Sequence, residues 1–493
     1  MQIGFDNDKY IEMQATHIRE RISQFGGKLY LEFGGKLFDD YHASRVLPGF
    51  EPDSKVRMLA KLADDAEVVV VINAEDIEHA RRRSDIGITY DEDVLRLMDI
   101  FRGMGLLAES VVITHFTGQP HAETWQKRLE QMGIRCYRHY LIDGYPSNVD
   151  LIVSDEGFGK NDYAETSRPL VVVTAPGPGS GKLATCLSQL YHEAKRGVTA
   201  GYAKFETFPV WNLPLKHPVN IAYEAATADL DDRNIIDPFH LDAYDKVTVN
   251  YNRDVETFPV VRTLLEKILG KSPYQSPTDM GVNMVGNCIS DDEVCKEAGR
   301  SEIVRRYFQT AEQLARTGMG ESAIAKIELL MNQAGVTKDH SPARQAALAR
   351  AEATGLPAGA MVLPDGTVMT GKTNELLGAA SSLLLHALKH VAGVPDDLYV
   401  VADEALEPIC RLKTEHMHSS NPRLHSDETL IALSISSATN PEAARVIDAA
   451  AQLRGCDAYF SVIISPTDEK VYRSLGINVC CEPKFERHGY YHR

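Results

Sequence analysis

The sequence has few cysteines and no long apolar stretch. Its eight cysteines among 493 residues are scattered, without the spacing of a disulfide framework. The longest apolar runs, such as residues 68–72 and 383–388, are far too short to cross a bilayer. No positively charged and then apolar leader opens the chain. These absences predict a cytoplasmic protein in a reducing compartment, without a membrane-spanning segment.

The chain is also short of positive charge. It has 52 Lys and Arg residues against 69 Asp and Glu residues, which gives a net charge of −17. A chain this acidic is a poor match for the phosphate backbone of nucleic acid or for an anionic membrane, so we expect neither as a partner. The composition is otherwise 44% hydrophobic and 25% charged, which is typical of a globular protein with several domains.

A glycine-rich segment in the first half of the chain is the strongest functional signal. Residues 168–174 contain a β-branched run, residues 175–181 are rich in Gly and Pro, and residues 182–195 have helical apolar spacing. A strand, loop and helix in this order direct backbone N–H groups toward the helix N-terminus, where an anion is stabilised. We therefore predict a P-loop-like turn that binds phosphate through Gly177, Gly179, Ser180, Gly181 and Lys182.

The segments on either side of this loop alternate between apolar runs and helical patterns. Runs typical of strands occupy residues 28–33, 68–72, 110–114, 134–140 and 149–154 before the loop, and residues 202–211 and 220–225 after it. Alternation of this kind implies right-handed crossovers and a mainly parallel sheet. Residues 1–234 are therefore predicted to form a Rossmann-like α/β domain.

Polar residues follow several of these runs, at the edge where an open parallel sheet binds ligands. The phosphate site is predicted to include the residues after the first run, Gly34, Gly35, Lys36 and Arg45. The predicted catalytic residues are Lys182 and two carboxylates after the fifth run, Asp155 and Glu156. A carboxylate at such a site can act as a metal ligand or as a general base.

The loop departs from the Walker A pattern G-x-x-x-x-G-K-[ST], in which the last residue binds magnesium. Pro176 stands at the first glycine position and Leu183 at the hydroxyl position. Ser180 or Thr185 could supply a replacement hydroxyl, so Mg²⁺ and a nucleotide are the candidate cofactors. The departure favours binding of a phosphate or nucleotide over ATP hydrolysis. The alternative is a glycine turn that only lets the strand and the helix pack closely.

A second segment, residues 366–373, matches the Walker A pattern at every position. Residues 361–370 nevertheless have the pattern of two short strands joined by a Pro-Asp-Gly turn. The first glycine of the pattern then belongs to a hairpin and not to a loop that enters a helix. The context therefore indicates a chance match.

The same hairpin, followed by a helix, resembles the opening of the cytidine deaminase fold. Residues 351–493 are accordingly predicted to form a C-terminal α/β domain on that scaffold. The zinc motif of the deaminases is missing, because Leu388 follows His386 and Ala387, and because Cys480 and Cys481 are adjacent. The resemblance therefore implies the scaffold without the chemistry.

Two histidines on one predicted helix raise the alternative of a zinc protease. His386 and His390 are four residues apart, the spacing that such enzymes use. Ala387 stands where the general base of the H-E-x-x-H motif should be. The pattern therefore argues against a metallopeptidase.

Residues 235–350 are predicted to form a mostly helical middle domain between the two α/β domains. Its helical patterns are interrupted by a Pro-rich segment at residues 272–277. Such a domain could cap the ligand-binding edge of the sheet or form contacts between subunits. A homo-oligomer is therefore one expectation for the assembly.

Four segments resemble the signature segments of a bacterial family of uncharacterised proteins, some of which are labelled ATP-dependent peptidases: residues 31–50, 175–182, 276–283 and 370–373. The resemblance spans nearly the whole chain. It implies a soluble cytoplasmic protein with this domain order, and it supports residues 34–45 as part of the site. It supplies no activity, and the sequence offers no catalytic residues that match the peptidase label.

Two functional hypotheses follow from these patterns. The first is an enzyme that acts on a phosphorylated small molecule or nucleotide. The second is a sensor that binds such a ligand without turning it over and signals to a partner through the middle and C-terminal domains. The missing magnesium ligand favours the sensor, and the many polar strand ends favour the enzyme.

Overall fold

The computed structural model describes residues 2–35, 37–38, 40–83, 87–419 and 421–486. The chain divides into two compact units. The N-terminal unit comprises Gln2–Glu224 and Asp232–Gly299, and the C-terminal unit comprises Ala225–Asp231 and the chain from Arg300 onward. Residues 235–350 are shared between the two units, and the division into three domains stays a prediction.

The elements of the N-terminal unit alternate along most of its length. Its strands are β1 (Leu29–Phe33), β2 (Ala66–Asn73), β3 (Leu107–Phe116), β4 (Arg135–Tyr140), β5 (Leu170–Thr174), β6 (Gly201–Phe205), β7 (Asn234–Ile236), β8 (Val249–Tyr251) and β9 (Gly281–Val282). The helices that begin in it are α1 (Asn7–Gln24), α2 (Tyr41–Val46), α3 (Ser54–Ala60), α4 (Ala74–Glu78), α5 (Tyr90–Gly103), α6 (Pro120–Gln131), α7 (Val149–Ile152), α8 (Lys182–Lys195), α9 (Pro218–Ala226), α10 (Pro238–Tyr244), α11 (Asn252–Leu269), α12 (Pro277–Met280) and α13 (Asp292–Thr317).

A parallel sheet forms the centre of the N-terminal unit. Within the described residues it has seven strands in the order β4-β3-β2-β5-β1-β6-β9, and every neighbouring pair is parallel. All residues of β5 are buried, as are all residues of β2 before Asn73. Continuous burial of β-branched strands is typical of a parallel sheet covered by helices on both faces. The predicted α/β fold with a mainly parallel sheet is confirmed.

Two of the predicted strands are wrong. Residues 149–154 include the short helix α7, because the side chain of Asn148 accepts a hydrogen bond from the N–H of Leu151 and caps its first turn. Residues 220–225 lie inside α9, which begins at Pro218. Proline is favoured in the first turn of a helix, where its missing N–H costs no hydrogen bond.

The C-terminal unit is built on a smaller, mixed sheet. Its strands are β10 (Ala358–Val362), β11 (Val368–Lys372), β12 (Asp457–Phe460) and β13 (Asn478–Cys481), in the order β11-β10-β12-β13. Its further helices are α14 (Glu321–Ala334), α15 (Pro342–Thr354), α16 (Ala379–Val391), α17 (Asp403–Arg411), α18 (Ser426–Ser437), α19 (Pro441–Asp448) and α20 (Pro466–Ser474). Strands β10 and β11 are antiparallel, as the hairpin prediction required, and β12 and β13 are parallel.

None of the helices in the described part of the chain is both long enough and apolar enough to cross a membrane.

Candidate functional site

The order of the strands defines a crevice at the carboxyl ends of β1 and β5. These two strands are neighbours, but the chain leaves β1 toward β2 and leaves β5 in the opposite direction, toward β6. Right-handed crossovers then place the connecting helices on opposite faces of the sheet. Ligands of open α/β sheets bind where the connections that leave two adjacent strands run in opposite directions. The loop before α8 lies at this point.

The loop itself is fixed by neighbours on β3 and α5. The hydroxyl of Thr114 donates to the carbonyl of Ser180 at 2.6 Å, and the hydroxyl of Ser180 donates to the carbonyl of Gly177. A Cβ at Gly177 would lie 2.4 Å from the hydroxyl oxygen of Tyr90, and a Cβ at Gly181 would lie 3.1 Å from Thr114 Cγ2. Gly177 is therefore favoured by close packing against Tyr90, and the approach to Thr114 at Gly181 is tight.

The other side of the loop is open. A Cβ at Gly179 would meet no atom within 4 Å. Gly179 and Gly181 have φ values of +77° and +87°, which glycine adopts without strain. Within the described residues, the backbone N–H groups of Lys182, Leu183 and Ala184 donate to no acceptor. The first turn of α8 thus keeps its positive end unsatisfied by the protein.

Lys182 is the first residue of α8, so this helix begins with a positively charged side chain. Among the described residues Lys182 forms no hydrogen bond or ion pair, and its side chain is partly buried. Burial lowers the pKa of Lys182, the nearby Lys204 lowers it further, and Glu32 opposes both effects. An anion bound at the loop would relieve the cost of holding this charge away from water.

A cluster of charged side chains lies at the ends of β1 and β6, on the face covered by α8. Glu32 is the register neighbour of Lys204, and it accepts a hydrogen bond from the hydroxyl of Tyr202 at 2.8 Å. Lys204 Nζ lies 2.6 Å from Glu206 Oε1 and 2.5 Å from Asp254 Oδ2. Burial disfavours the charge of Lys204, but the three carboxylates outweigh burial and raise its pKa. The charges of this cluster therefore depend on one another.

The segment after β1 holds the other predicted phosphate ligands, Gly34, Gly35, Lys36 and Arg45, and their role stays a prediction. Gly34 and Gly35 follow β1, next to the end of β5, and a Cβ at Gly35 would lie 3.7 Å from the ammonium of Lys55. That ammonium forms a buried ion pair with Asp40 at 2.7 Å. Arg45 is partly buried in the last turn of α2. The predicted phosphate ligand Lys36 lies outside the described residues.

Asp155 and Glu156 are not part of this crevice. Asp155 accepts a hydrogen bond from the hydroxyl of Tyr191 at 2.6 Å and pairs with Lys195 at 3.1 Å, both in the last two turns of α8. Helix α8 is about 20 Å long, so this carboxylate is at the opposite end from Lys182. Glu156 pairs with Lys160 on the surface. The structure therefore separates these two predicted catalytic residues from the loop, because the segment before them is helical and does not end at the ligand edge.

Among the described residues, no three His, Cys, Asp or Glu side chains are grouped so that they could hold a metal ion. His390 Nε2 lies 3.1 Å from Asp365 Oδ2, and His386 Nδ1 lies 3.1 Å from the carbonyl of Thr370. Both histidines are thus engaged with the hairpin that precedes their helix.

The C-terminal unit has a cleft of its own between α13, the start of α15 and the strands β12 and β13. Its buried Arg305 pairs with Asp457 at 2.7 Å and with Glu302. Because this guanidinium is already shared by two carboxylates, it is a weaker anion site than Lys182.

The similarity to known proteins extends over nearly the whole chain. The family descriptions "Domain of unknown function DUF1846, N-terminal" and "C-terminal" match residues 3–335 and 339–491. A UPF0371 protein of Corynebacterium diphtheriae is 57% identical over 496 residues, which cover 100% of this chain and 99% of that protein. A UPF0371 protein of Corynebacterium aurimucosum is 57% identical and one of Streptococcus thermophilus is 54% identical, each over 98% of both chains.

Proposed function

We propose, from the premise that the chain belongs to the bacterial DUF1846 family, that its N-terminal unit binds the phosphate group of a phosphorylated small molecule or nucleotide. The binding groups are the N–H groups at the start of α8, the open side of Gly179, and the ammonium of Lys182. Gly177, Ser180 and Gly181 hold the loop in shape. The family is defined by sequence and not by a reaction, so the proposal rests on the geometry of the crevice.

One observation carries this proposal: the first turn of α8 has three N–H groups without an acceptor among the described residues, beside a lysine without a hydrogen-bonded partner. Unsatisfied N–H groups and a positive charge at a helix N-terminus form a P-loop-like anion site. The loop also lies at the carboxyl ends of β1 and β5, where the onward connections run in opposite directions, and this position supports the same site.

The enzyme remains our first choice and the sensor our second. The enzyme is supported by the charged cluster around Lys204 at the same edge of the sheet. The sensor is supported by the position of Asp155 and Glu156, which lie outside the crevice. Mg²⁺ stays a proposal, because the hydroxyl of Ser180 is used within the loop, whereas the buried hydroxyl of Thr185 has no partner in the described chain.

For the C-terminal unit we propose the scaffold of cytidine deaminase without its zinc site. The antiparallel hairpin, the helix α16 that follows it and the parallel pair β12–β13 support that likeness. The proposal assigns no reaction to this unit.

The phosphate proposal is tested by thermal unfolding with inorganic phosphate, glucose 6-phosphate, AMP and ATP, each with and without Mg²⁺. Glucose and adenosine are the matched compounds without phosphate. We expect the phosphate compounds to raise Tm, and Lys182→Ala to remove most of that shift. Lys372→Ala, which changes the lysine of the hairpin, is the control and should keep it. Equal shifts in wild type and Lys182→Ala would exclude the loop as the site.

Turnover is tested by incubating wild type with each compound that raises Tm and following it by phosphorus NMR for several hours. A new phosphorus signal that Lys182→Ala does not produce supports the enzyme. Stabilisation without any product supports the sensor.

A further inference from the structure

The loop before α8 contacts the part of the chain between β2 and β3 as well as its own strand and helix. Strand β2 is the neighbour of β5 in the sheet, and β3 is the neighbour of β2. The hydroxyl of Thr114 on β3 donates to the carbonyl of Ser180, and Gly177 is packed against Tyr90, the first residue of α5. The loop therefore borders a second group of side chains at this edge of the sheet.

This second group, which we call the Arg81 group, consists of Asp76, Arg81 and Tyr90. Backbone hydrogen bonds join its members, because the N–H of Arg81 donates to the carbonyl of Asp76 at 2.9 Å and the N–H of Tyr90 donates to the carbonyl of Arg81 at 2.8 Å. Ala80 has a φ of +47°, which alanine rarely adopts. The turn that carries Arg81 thus keeps a local strain, as segments that position a functional side chain often do.

The guanidinium group of Arg81 is held by two neighbours and keeps one edge free. Its Nη1 donates to Asp76 Oδ1 at 3.0 Å, and its Cζ lies 5.0 Å from the centre of the Tyr90 ring. Nε and Nη2 have no acceptor among the described residues, and the side chain is 49% exposed. These two nitrogens can donate a pair of parallel hydrogen bonds to a phosphate group.

Tyr90 connects this guanidinium to the loop. A Cβ at Gly177 would lie 2.4 Å from the hydroxyl oxygen of Tyr90, so the hydroxyl contacts the start of the loop. Within the described part of the chain this hydroxyl forms no hydrogen bond, although most of the side chain is buried. Arg81 and the loop are therefore separated by a single aromatic side chain, which leaves a free hydroxyl between them.

We propose that Arg81 binds a second phosphate group next to the one on the loop, so that the ligand is a diphosphate, such as a nucleoside diphosphate or another diphosphate ester. This inference rests on the proposed function, since the first phosphate would occupy the loop before α8. The hydroxyl of Tyr90 donates to an oxygen between the two phosphates. Asp76 is a positioning residue, and its other oxygen, Oδ2, is buried and does not face the ligand.

Isothermal titration calorimetry of the full chain with inorganic phosphate and with pyrophosphate tests this proposal. EDTA in the buffer prevents a metal ion from bridging the anions, and AMP and ADP repeat the comparison with a nucleoside attached. We expect wild type to bind pyrophosphate about tenfold more tightly than phosphate, because the second phosphate accepts charge-assisted hydrogen bonds from Arg81.

Arg81→Gln should remove most of this difference and leave the affinity for phosphate nearly unchanged. The ratio of the two affinities is the readout, because a variant that only loosened the loop would weaken both anions alike. Arg262→Gln is the matched control, since Arg262 on α11 is similarly exposed and pairs with Glu266, and it should keep the ratio. Asp76→Ala should lower the ratio by a smaller factor, because Arg81 keeps its charge and loses its fixed direction.

The two proposals fail in different ways. If wild type binds phosphate and pyrophosphate equally, or if Arg81→Gln keeps their ratio, the Arg81 proposal is wrong, and the loop proposal stands provided that Lys182→Ala weakens phosphate. The wild-type titration decides this even if Arg81→Gln does not fold. If pyrophosphate binding is lost in Arg81→Gln and unchanged in Lys182→Ala, the loop proposal is wrong and only an anion site at Arg81 remains.

Discussion

Residues 177–182 and residues 366–373 are two glycine-rich segments that end in or near a lysine, and their surroundings give them opposite properties. The first segment joins β5 to α8, and the N–H groups at the start of that helix have no acceptor among the described residues. The second contains the end of the turn and the whole of β11 in the β10–β11 hairpin, where backbone groups pair with each other. Only the second matches the Walker A pattern in full. The comparison teaches that the elements on either side of a glycine-rich loop decide whether its N–H groups are left without acceptors, which is what a phosphate site requires.

The largest expected effect comes from Gly371, because this glycine of the hairpin is required for packing. A Cβ there would lie 2.3 Å from the backbone nitrogen of Leu383 and 2.5 Å from its Cα. No side-chain rotation relieves an overlap with backbone, so Gly371→Ala should lower the free energy of unfolding by about 3 kcal/mol. Urea unfolding of the full chain measures this. A loss near zero would mean that the hairpin is not packed on α16 as described.

The next effect comes from the residue that supports the loop before α8. Thr114→Val keeps the shape of the side chain but leaves the buried carbonyl of Ser180 without its 2.6 Å hydrogen bond. We expect a loss of about 1 to 3 kcal/mol in the free energy of unfolding. Thr124→Val, at an exposed position of α6, is the control and should change stability by less than about 0.5 kcal/mol. Equal effects of the two substitutions would show that Thr114 does not hold the loop.

The sharpest test of the comparison uses one glycine from each segment. Gly179 and Gly366 have φ values of +77° and +87°, and a Cβ at either would meet no atom within 4 Å. Alanine at each position should therefore cost a similar amount, about 1 kcal/mol of stability.

Only Gly179→Ala should also weaken phosphate binding, by about tenfold, because its methyl group would project into the open side of the loop, where we propose that the phosphate lies. Thermal unfolding with and without inorganic phosphate gives both quantities for each variant. If Gly366→Ala weakened phosphate binding equally, the hairpin would have to be counted as part of the site.

The smallest effect concerns the turn of the hairpin. The N–H of Thr367, followed by the imidazole of His390, lowers the pKa of Asp365 to about 2, below its ordinary value of 3.8. A group with a depressed pKa in the folded state adds stability above its ordinary pKa, and this stability is lost as pH falls toward 2. Because the carboxylate is exposed, the effect should be small. Between about pH 5 and pH 2.5, Tm of wild type should fall slightly more than Tm of Asp365→Asn. Parallel curves would contradict the assignment.

Much of the fold followed from local patterns. The β-branched runs at residues 68–72 and 170–174 predicted buried parallel strands, because continuous burial selects such residues in any α/β protein. The Pro-Asp-Gly turn predicted the hairpin for a similarly local reason. Residues 149–154 were predicted wrongly, because the side-chain cap of Asn148 decides that segment and a strand-like composition does not record it.

The candidate site was harder to predict, because burial depends on contacts between distant segments. Glu206 and Lys204 lie in an unremarkable stretch of sequence, and their importance comes from Asp254, about 50 residues later. Lys55 also gave no signal, since its partner Asp40 is visible only when α2 and α3 are folded. The loop before α8 could be predicted because the strand, the glycines and the helix are consecutive.

The strand order has a consequence for how the protein is made. Strand β1 lies between β5 and β6, so neither of its neighbours has been synthesised when residues 29–33 leave the ribosome. Strands β2, β3 and β4 can associate in the nascent chain while β1 still exposes both edges. The crevice at the ends of β1 and β5 is therefore assembled late in translation, after residue 205, and until then β1 exposes two unpaired edges to wrong pairing with other chains.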